Sequence, residues 1–471
     1  MANRYALQQV DIDILRQYSK DITIRIDILN SDDKVIQSIE GVCMSAPFSI
    51  DACSDIRRTL NLNIHVISST YTISEDSMFW FKRKIKPYYG IYYIRTRETV
   101  YYPLGEFYVT DGSFTYSATD NSLTVNCSDK MCMLNGDMGG KIGFNTLTVL
   151  AGEDMRSTII AILNDAGISR YLIEDLDRTI PYDKEYSGEF TYCQVIRELL
   201  DLYSECEMFF DVDGVFRIRK IPYGVNERNV LDDDILMPLL ISESKTTDLK
   251  SIYNHIIVYG QCIEPDYFAD SCTVSGSVYK AQLTGFNGYT NFAIYAVTVP
   301  SDNVGDDSLS INGFSAKVIR YDDGVNVTAG YITSGTWCFK YRAASDDFLL
   351  LGQYEVHSEV KCEDDNTPFS INKIGDKVIK LSGGDYDKIY SNSLAEQRAK
   401  YELYNRTCLQ QTISMETILI PWLDVNYKFS HATKYEDTCE YLIQSVSGNL
   451  AEPTMNIQAN RYYPTYASTL I

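Results

Sequence analysis

The sequence predicts an α+β protein that is mostly β, and three observations lead to this fold class. Segments of alternating apolar and polar residues recur from position 20 to 130 and return after position 406. Two helices and a hairpin lie between these regions, at 146–222. A further set of β segments occupies 261–385. A chain of 471 residues is too long for one hydrophobic core, so several domains are expected.

The first strand-rich region has the period of two that places every second side chain on one face of a sheet. Turn residues separate its segments and no helical pattern interrupts them, which is typical of a barrel or a sandwich. The predicted strands are DITIRIDIL, KVIQSIEGV, RRTLNLNIHVI, GIYYIRT, TVYYPLGEFYVTDG, SFTYSAT and SLTVNCSD.

The first predicted helix begins at Glu153 and Asp154, because their negative charges suit the positive end of a helix dipole. It stops at Gly167, since glycine readily adopts the left-handed conformation of a C-terminal cap. One face of this helix is apolar at helical spacing and is expected to be buried. Its residues are Met155, Ile159, Ile162, Leu163 and Ala166.

The second helix opens with Thr191 and Gln194, whose spacing predicts a capping box. A hairpin follows, in which Asp213-Gly214 predicts a type I′ turn with two positive φ angles. Residues 215–221 form the returning strand and Pro222 ends the pairing. The apolar stripe of the helix is Val195, Ile196, Leu199, Leu202 and Tyr203.

The segment LKSIYNHIIVYG, which ends at residue 260, is typical of a buried strand, but no partner strand follows it directly. The spaced β segments and turns of 261–385 predict a small inserted β-domain. A helix then follows, with Ser393 and Glu396 as a second capping box, and ends near Arg406. Strands return at QQTISMETILI, NYKFSHAT, CEYLIQSVSGNL and TMNIQANRYY.

The charge balance argues against tight wrapping of nucleic acid. The chain has 42 Lys and Arg against 64 Asp and Glu, a net charge of −22, which repels phosphates. No apolar run approaches the roughly 20 residues that span a bilayer, so no membrane insertion by the chain itself is expected. The 12 cysteines are scattered singly and MANRYALQQVDID has no secretory leader, so reduced, partly buried thiols are expected.

Motifs for phosphate and calcium binding are incomplete. In NGDMGGKIG, Asn135 replaces the first glycine of a P-loop and Ile142 replaces the Ser or Thr that would hold magnesium. The acidic segments 211–214 and 232–234 do not continue into an EF-hand loop. Turn formation and a solvated acidic surface explain these two segments better.

Residues for catalysis or zinc binding are not predicted. The four histidines lie in strand-like segments without a nucleophile motif, and places in cores or on strand faces are expected for them. Cys127 and Cys132 lack a second ligand pair at zinc-finger spacing. Paired carboxylates of a glycosidase stay open, because their separation is invisible in sequence. The histidines are His65, His255, His357 and His431.

Residues 80–97, WFKRKIKPYYGIYYIRTR, interleave basic and aromatic side chains. This pattern suits single-stranded nucleic acid, but a strand pair with one wet face produces it as well, and the acidic remainder favours protein contact. The 37 Tyr against 18 Phe suit half-buried sheet surfaces and protein interfaces, and carbohydrate binding would also use them.

Several segments together resemble one known family. These are LGEFYVTDGSFTYSATDNSLTVNCSDKM, the helix-helix-hairpin unit, SIYNHIIVYG, AEQRAKYELYNR, ILIPWLDVNYKFS and CEYLIQSVSGNLAEPTMNIQANRYYP. Their order resembles that of tail or baseplate hub proteins of long-tailed bacteriophages and phage-tail-like particles. The most specific parts are the Asp-Gly hairpin and the Ile-Pro-Trp-Leu-Asp-Val run at 420–425.

The resemblance implies a homotrimer in which each subunit contributes two barrel-like tube domains to a pseudo-sixfold ring. It places a first tube-like β-domain with an N-terminal tether at 1–130 and a small helix-helix-hairpin domain at 131–225. It places a second tube-like β-domain at 226–260 together with 386–471. The inserted β-domain at 261–385 departs from the minimal pattern of the family.

The implied function is that of a structural virion protein, not an enzyme, which closes the distal end of the tail tube at the tail tip or baseplate after assembly in the host cytoplasm. The implied partners are a distal tail protein ring, a tape measure protein and a tip or spike protein, and DNA passes through without specific binding. No catalytic, cofactor-binding or metal-binding residue is predicted. Because the chain stops at Ile471, a cell-wall-degrading or adhesive activity is expected on another polypeptide.

Two alternatives stay open from the sequence. The tyrosines and the inserted β-domain suit a tail adhesin or carbohydrate-binding module that contacts the host surface through 261–385. The many carboxylates leave room for a tail-associated hydrolase, although no catalytic motif supports one.

Overall fold

The computed structural model describes residues 9–67, 71–75, 77–80, 83–117, 121–143, 146–150, 152–176, 179–180, 184–201, 206–221, 231–321, 324–365, 367–389, 391–407, 410–433 and 437–462. The chain divides into two compact units. The first comprises Met1–Ser251 and Leu409–Thr469, and the second centres on Ile252–Cys408. Within the described residues, no helix combines the length and the apolar character needed to cross a bilayer.

The α-helices are far fewer than the strands in the described part of the chain. They are α1 (Gln9–Leu15), α2 (Met155–Asp165), α3 (Tyr192–Asp201), α4 (Asp233–Leu236), α5 (Ile371–Ile374) and α6 (Asn392–Arg406). Single 3-10 turns lie at Lys130–Met133, Met237–Leu239 and Gly384–Lys388. The prediction of a mostly β α+β protein is confirmed.

The strands are, in chain order, β1 (Ile22–Leu29), β2 (Val35–Glu40), β3 (Cys43–Ser45), β4 (Pro47–Asp51), β5 (Arg58–His65), β6 (Lys84–Tyr93), β7 (Glu98–Pro103), β8 (Phe107–Tyr116), β9 (Asn121–Asp129), β10 (Leu147–Val149), β11 (Tyr171–Ile173), β12 (Lys184–Tyr186), β13 (Cys206–Phe210), β14 (Phe216–Lys220) and β15 (Leu240–Asp248). They continue with β16 (His255–Cys262), β17 (Tyr267–Phe268), β18 (Ser271–Ser275), β19 (Val278–Gln282), β20 (Ile294–Val299), β21 (Ser308–Ile311), β22 (Lys317–Arg320), β23 (Gly335–Arg342), β24 (Asp347–Gln353), β25 (Glu355–Lys361), β26 (Val378–Leu381), β27 (Gln410–Ile418), β28 (Lys428–His431), β29 (Cys439–Asn449) and β30 (Thr454–Tyr462).

One antiparallel sheet of 14 strands, as far as the structure describes them, organises the first unit. Its order is β15-β27-β30-β29-β4-β5-β9-β8-β6-β1-β2, with β28, β3 and β7 attached to β29, β5 and β6. The N-terminal and C-terminal strand sets meet where β29 pairs with β4. There the Asn449 side chain accepts from the Ala46 N–H at 2.8 Å and donates to Ser45 Oγ at 3.2 Å. The two strand-rich regions of the sequence are therefore parts of one sheet.

A shared apolar core explains why the two strand sets pack together. Alternate residues of β5 and β27 face inward, as the period of two requires. Leu62 and Ile64 of the N-terminal set lie in the same buried cluster as Ile413 and Ile457 of the C-terminal set. The helix α1, which the sequence analysis treated as part of a tether, buries Ile14 and Leu15 in this core.

The helix-helix-hairpin unit has its own core and most of its predicted caps. Asp154 accepts from the Ser157 N–H at the start of α2, and Gly167 follows its end with a φ of +77°. Thr191 and Gln194 form the predicted capping box, with N–H to side-chain oxygen distances of 2.9 and 3.2 Å. Leu202, Tyr203 and Pro222 lie outside the described residues.

The turn of the hairpin differs from the predicted type I′ turn. Only Gly214 has a positive φ, of +66°, whereas Asp213 does not. The Gly214 N–H donates to the Asp211 carbonyl at 2.9 Å, and the Asp211 N–H donates to the Val215 carbonyl at 3.0 Å. This is a three-residue loop in which a type I turn precedes a left-handed glycine, so a single positive φ suffices.

The second unit contains an eight-stranded sheet in the order β17-β20-β23-β24-β22-β21-β19-β18, formed within the part of the chain predicted as an inserted β-domain. Its core is rich in rings that meet edge to face, for example Tyr295 and Phe348 with centroids 5.8 Å apart. The largest fully buried ring is that of Trp337, whose Nε1 donates to the Thr333 carbonyl at 2.7 Å.

Two details of the second unit correct the sequence analysis. The resemblance places β16 in the second tube-like domain, but in the structure it pairs with β25 and β26, and its residues Ile256 and Val258 are buried. The predicted capping box of Ser393 and Glu396 is wrong. Ser391 caps α6 by accepting from the Leu394 N–H, and Glu396 pairs with Lys400 one turn later. The other domain limits stay a prediction.

Candidate functional site: the hairpin clamp and the outer strands

A buried charge network joins the hairpin β13-β14 to both strand sets of the large sheet. Its members come from distant parts of the sequence, and all except Arg219 expose less than a tenth of their surface. We call this network the hairpin clamp, and it consists of Arg57, Arg58, Glu207, Arg219, Asp424 and Asn426.

Arg58 contacts three regions of the first unit at once. Its backbone N–H donates to Asp129 Oδ2 at 2.9 Å, at the end of β9. Its guanidinium forms an ion pair with Asp424 and donates to the Phe210 carbonyl at the end of β13. Because Arg58 is only 1% exposed, these partners replace the water that its charge would otherwise need.

Glu207 is the acidic centre of the clamp. Arg57 and Arg219 form ion pairs with its carboxylate, and the Asn426 amide donates to it. The ring of Phe209 lies against both guanidinium groups. Its centroid is 3.9 Å from Arg57 Cζ and 5.0 Å from Arg219 Cζ. The hairpin is thus tied to the start of β5 on one side and to the segment after β27 on the other.

The pKa directions show how the clamp balances burial against charge. Burial alone would raise the pKa of Glu207, but the charges of Arg57 and Arg219 outweigh it and lower this pKa below its usual value. The same competition, with Arg58 as the main cation, lowers the pKa of Asp424. Both carboxylates therefore carry their charge in the folded protein at neutral pH.

The turn of the hairpin docks on the N-terminal strand set through a second group of charges. Lys130 donates to the Gly214 carbonyl at 3.1 Å and pairs with Glu106 at 2.9 Å. Lys86 of β6 pairs with Asp213 at 3.1 Å. The packing is close, since a Cβ at Gly214 would lie 2.2 Å from Glu106 Oε2. The turn therefore needs a glycine for its φ, and a Cβ at this position would displace the charged ends of Glu106 and Lys130.

The Ile-Pro-Trp-Leu-Asp-Val run borders the clamp. Residues 421–424 line a cavity of about 90 Å³ together with Arg58 and Tyr102. The rings of Trp422 and Tyr102 are 5.6 Å apart, and Trp422 Nε1 is buried without an acceptor among the described residues. This run, which carried much of the sequence resemblance, thus places Asp424 against Arg58.

The large sheet ends in two strands that have no outer partner in the described part of the chain, β2 and β15. Both are exposed along most of their length, and they carry apolar side chains in water: Val35 is 54%, Ile36 52% and Ile241 51% exposed. Unpaired strand edges with apolar residues tend to add further strands. We call β2 and β15 the outer strands.

Two solved structures of tail proteins resemble this chain along nearly its whole length. A tail protein from Neisseria meningitidis aligns with 94% of this chain and 99% of its own, with a TM-score of 0.51 and 6% identity. The 43 kDa tail protein of prophage MuSo2 from Shewanella oneidensis aligns over 94% and 99%, with a TM-score of 0.50 and 8% identity. The chain has the fold of phage tail proteins. The resemblance predicted from the sequence is confirmed at the level of the fold.

A third tail protein and one family model also match the chain. The prophage tail protein gp18 from Listeria monocytogenes aligns over 93% of this chain and 94% of its own, with a TM-score of 0.46 and 12% identity. A family model described as a domain of unknown function (DUF5048) matches residues 366–466. No curated protein matches the sequence.

The histidines lie in strands, as predicted. His65 ends β5, His357 is in β25, and the remaining two, His255 and His431, are buried. His255 lies between Asp376 and Glu359. None of the four is part of a cluster that could hold a metal ion within the described residues.

The segments considered for phosphate and calcium serve local structure. The Asp211 carboxylate accepts from the N–H groups of Asp213 and Val215 in its own turn and pairs with Arg217. The Gly140 carbonyl accepts from the Tyr192 N–H at the start of α3. Cys127 and Cys132 are buried free thiols.

The basic aromatic stretch at 80–97 is largely the strand β6. Two cations of β6 have acidic partners: Lys84 pairs with Asp33, and Lys86 pairs with Asp213. The wet face expected for this strand is not observed, because every residue of β6 is buried or half-buried. The two ion pairs remove two charges from any nucleic-acid surface. Residues 81 and 82 lie outside the described part of the chain.

The clamp was missed by the sequence analysis. The ion pairs Arg57–Glu207 and Arg58–Asp424 join residues 150 and 366 positions apart, so no spacing rule points to them. The signal that existed was chemical: Glu207 stands in the apolar segment CEMFF, and Asp424 follows Trp422-Leu423. A charged residue in a buried strand requires a partner of opposite charge. The sequence therefore predicts that an ion pair exists, but not which residue is the partner.

Proposed function

We propose that this chain is a structural protein of a phage-type tail and that it acts as a trimeric hub at the distal end of the tail tube. The observation that carries the proposal is the large sheet, which unites two strand-rich regions and whose outer strands have no further partner among the described residues. The fold shared with phage tail proteins supports the same role. The chain acts without catalysis in this proposal.

The outer strands supply the route to a ring. When β2 of one copy pairs with β15 of the next, each interface uses two different surfaces, and such head-to-tail contacts close into a ring if the rotation permits. The apolar side chains of Ile36 and Ile241 would leave water in that contact. Three copies would then present six strand-rich regions around one axis.

The clamp supports the ring by holding both strand sets of one copy in a fixed arrangement. A ring of subunits closes only if the angle between the two outer strands of each subunit is constant. Buried ion pairs favour one arrangement of segments over others. The net charge of −22 suits a conduit, because an acidic wall repels DNA and lets it pass without specific binding. We place the hub between a distal tail protein ring, a tape measure protein and a tip or spike protein, in the tail tip of the virion.

The mass of the protein in solution tests the trimer. We expect light scattering to give three times 53.6 kDa, and negative-stain microscopy to show rings with threefold symmetry. Ile36→Lys and Ile241→Lys, which place a charge on the outer strands, should shift the protein to monomer. Val304→Lys, at an apolar residue 67% exposed in the second unit, is the control and should stay trimeric. A wild-type monomer at all concentrations would overturn the proposal.

A second candidate function, contact with host-surface glycans through 261–385, is favoured by exposed rings in this part of the chain. Phe268, Phe292 and Phe314 are 50%, 62% and 44% exposed, and aromatic faces can stack on sugars. A glycan array probed with the full chain, and with Phe292→Ala as a comparison, tests it. Binding that the substitution weakens supports the candidate, and an array without any bound glycan removes it.

A further inference from the structure

His431 is a buried histidine, and each of its two ring nitrogens contacts a carboxylate. The residue is 1% exposed and lies in β28 of the first unit. Its Nδ1 lies 2.7 Å from Asp233 Oδ1 in α4, and its Nε2 lies 2.6 Å from Glu243 Oε2 in β15. The ring therefore connects the outer strand β15 to the helix that precedes it.

The proton count of the ring decides how many of these bonds exist. A neutral imidazole has one N–H in either tautomer, so it donates to one carboxylate and turns a lone pair toward the other. The doubly protonated ring donates to both carboxylates and carries the opposite charge. The geometry fits the doubly protonated ring.

Other ionisable groups around the ring have different partners. On β28 itself, Lys428 pairs with Glu440 of β29. On β15, Lys245 interacts with Tyr441. Cys439 of β29 stands opposite His431 in the sheet register, and its thiol donates to the Asp437 carbonyl. Asp233 and Glu243 are thus the two carboxylates that can form an ion pair with the protonated ring.

We propose that His431 is a proton-dependent latch on the outer strand. With two ring protons it holds β15 to α4 in the arrangement that pairs with a second copy of the chain, and with one ring proton it releases one of the two carboxylates and loosens the strand. The part that concerns pairing between copies rests on the proposed function; the loosening of β15 does not. Histidine changes its charge between about pH 5 and pH 8, so the latch closes toward the acidic side of this range.

Hydrogen exchange of the β15 amides, measured on the full chain at pH 6 and pH 8.5 and corrected for intrinsic exchange rates, tests the latch. In the wild type we expect the protection of 240–248 to fall on the order of tenfold at the higher pH, because a charge-assisted bond is lost. His431→Gln should show the weaker protection at both pH values. His65→Gln, an exposed histidine in β5 of the same sheet, is the matched control and should behave like the wild type.

A second variant covers the case in which His431→Gln does not fold. The Glu243 side chain is 29% exposed, and Glu243→Gln keeps its size but removes the negative charge that pairs with the His431 ring. Its β15 protection should vary less with pH than that of the wild type. Protection in the wild type that is equal at both pH values would overturn the latch.

The exchange result and the assembly result separate the two proposals. If β15 loosens with pH as expected while the protein stays monomeric at every pH, the loosening stands and the trimeric hub fails. If the protein forms trimers equally well at both pH values and β15 protection does not change, the hub stands and the latch fails.

Discussion

The two units are stabilised in different ways. In the first unit, segments far apart in sequence meet through buried ion pairs at the hairpin clamp, with Arg58 and Glu207 almost fully buried. In the second, the core of the eight-stranded sheet packs aromatic rings such as Trp337 and Phe348 among aliphatic side chains. Ion pairs have strict partners, whereas rings tolerate several neighbours. The difference teaches that the clamp selects which segments meet, and the aromatic core mainly supplies apolar burial.

The largest expected effect is at the centre of the clamp. Arg58→Met leaves Asp424 charged and buried without its cation, which should destabilise the first unit by about 3–5 kcal/mol. Urea unfolding followed by intrinsic fluorescence and circular dichroism measures the loss. The double variant Arg58→Met with Asp424→Leu removes both charges and should recover most of it. Recovery of nothing would mean that packing, and not charge, is the main contribution of Arg58.

A matched pair of glycines separates backbone strain from close packing. Gly214 and Gly276 share a φ of +66°. A Cβ at Gly214 would contact Glu106 and Lys130, whereas a Cβ at Gly276 would have no described atom within 4 Å. Each substitution by alanine should cost about 1–2 kcal/mol for the left-handed backbone. Gly214→Ala should cost about 1–3 kcal/mol more, because it overpacks the docked turn. Equal losses in thermal unfolding would show that the turn does not dock as described.

Acid should weaken the clamp. The folded-state pKa values of Glu207 and Asp424 are lowered, so the unfolded chain binds protons at a higher pH than the folded one. The stability that these groups contribute is complete above the ordinary carboxyl pKa of about 4 and is lost as the pH falls through their lowered values. Urea midpoints measured between pH 6 and pH 3 test this. The double variant of Arg58 and Asp424 should lose less stability over the same range than the wild type.

The smallest effect is expected in the aromatic core. Trp337→Phe keeps an aromatic ring and removes the hydrogen bond to the Thr333 carbonyl, which should cost about 1 kcal/mol. Thermal unfolding of the second unit measures it. A loss as large as that of Arg58→Met would contradict the contrast between the units and show that the ring cluster also requires specific partners.

Local features were predicted well when their partners are close in sequence. The capping box of Thr191 and Gln194 and the end of α2 at Gly167 depend on residues within a few positions of each other. The cap of α6 was placed two residues late, because Ser391 and Ser393 are equally suitable and the packing of the helix decides between them. Type I′ geometry was wrong because the same Asp-Gly pair also serves a longer loop.

The candidate site was not predictable to the same degree. The Asp-Gly hairpin and the run at 420–425 were recognised, but the ion pairs that join them to Arg57 and Arg58 were not. The partners of β16 were also missed, since a buried strand looks the same beside any sheet. Sheet partners and buried ion pairs join residues that lie up to hundreds of positions apart in the sequence. At such separations, sequence spacing does not indicate which residues meet.

The sequence by itself determined that this protein is mostly β, where α2 and α3 begin, and which regions are rich in strands, because hydrophobic period and capping chemistry act over a few residues. Only the tertiary structure decided that two strand-rich regions share one sheet, that its outer strands have no partner within the part of the chain that the structure describes, and that a buried clamp holds the hairpin between the two strand sets. The physical reason is that strand pairing and charge burial depend on which distant segments meet, and many pairings satisfy the same local pattern.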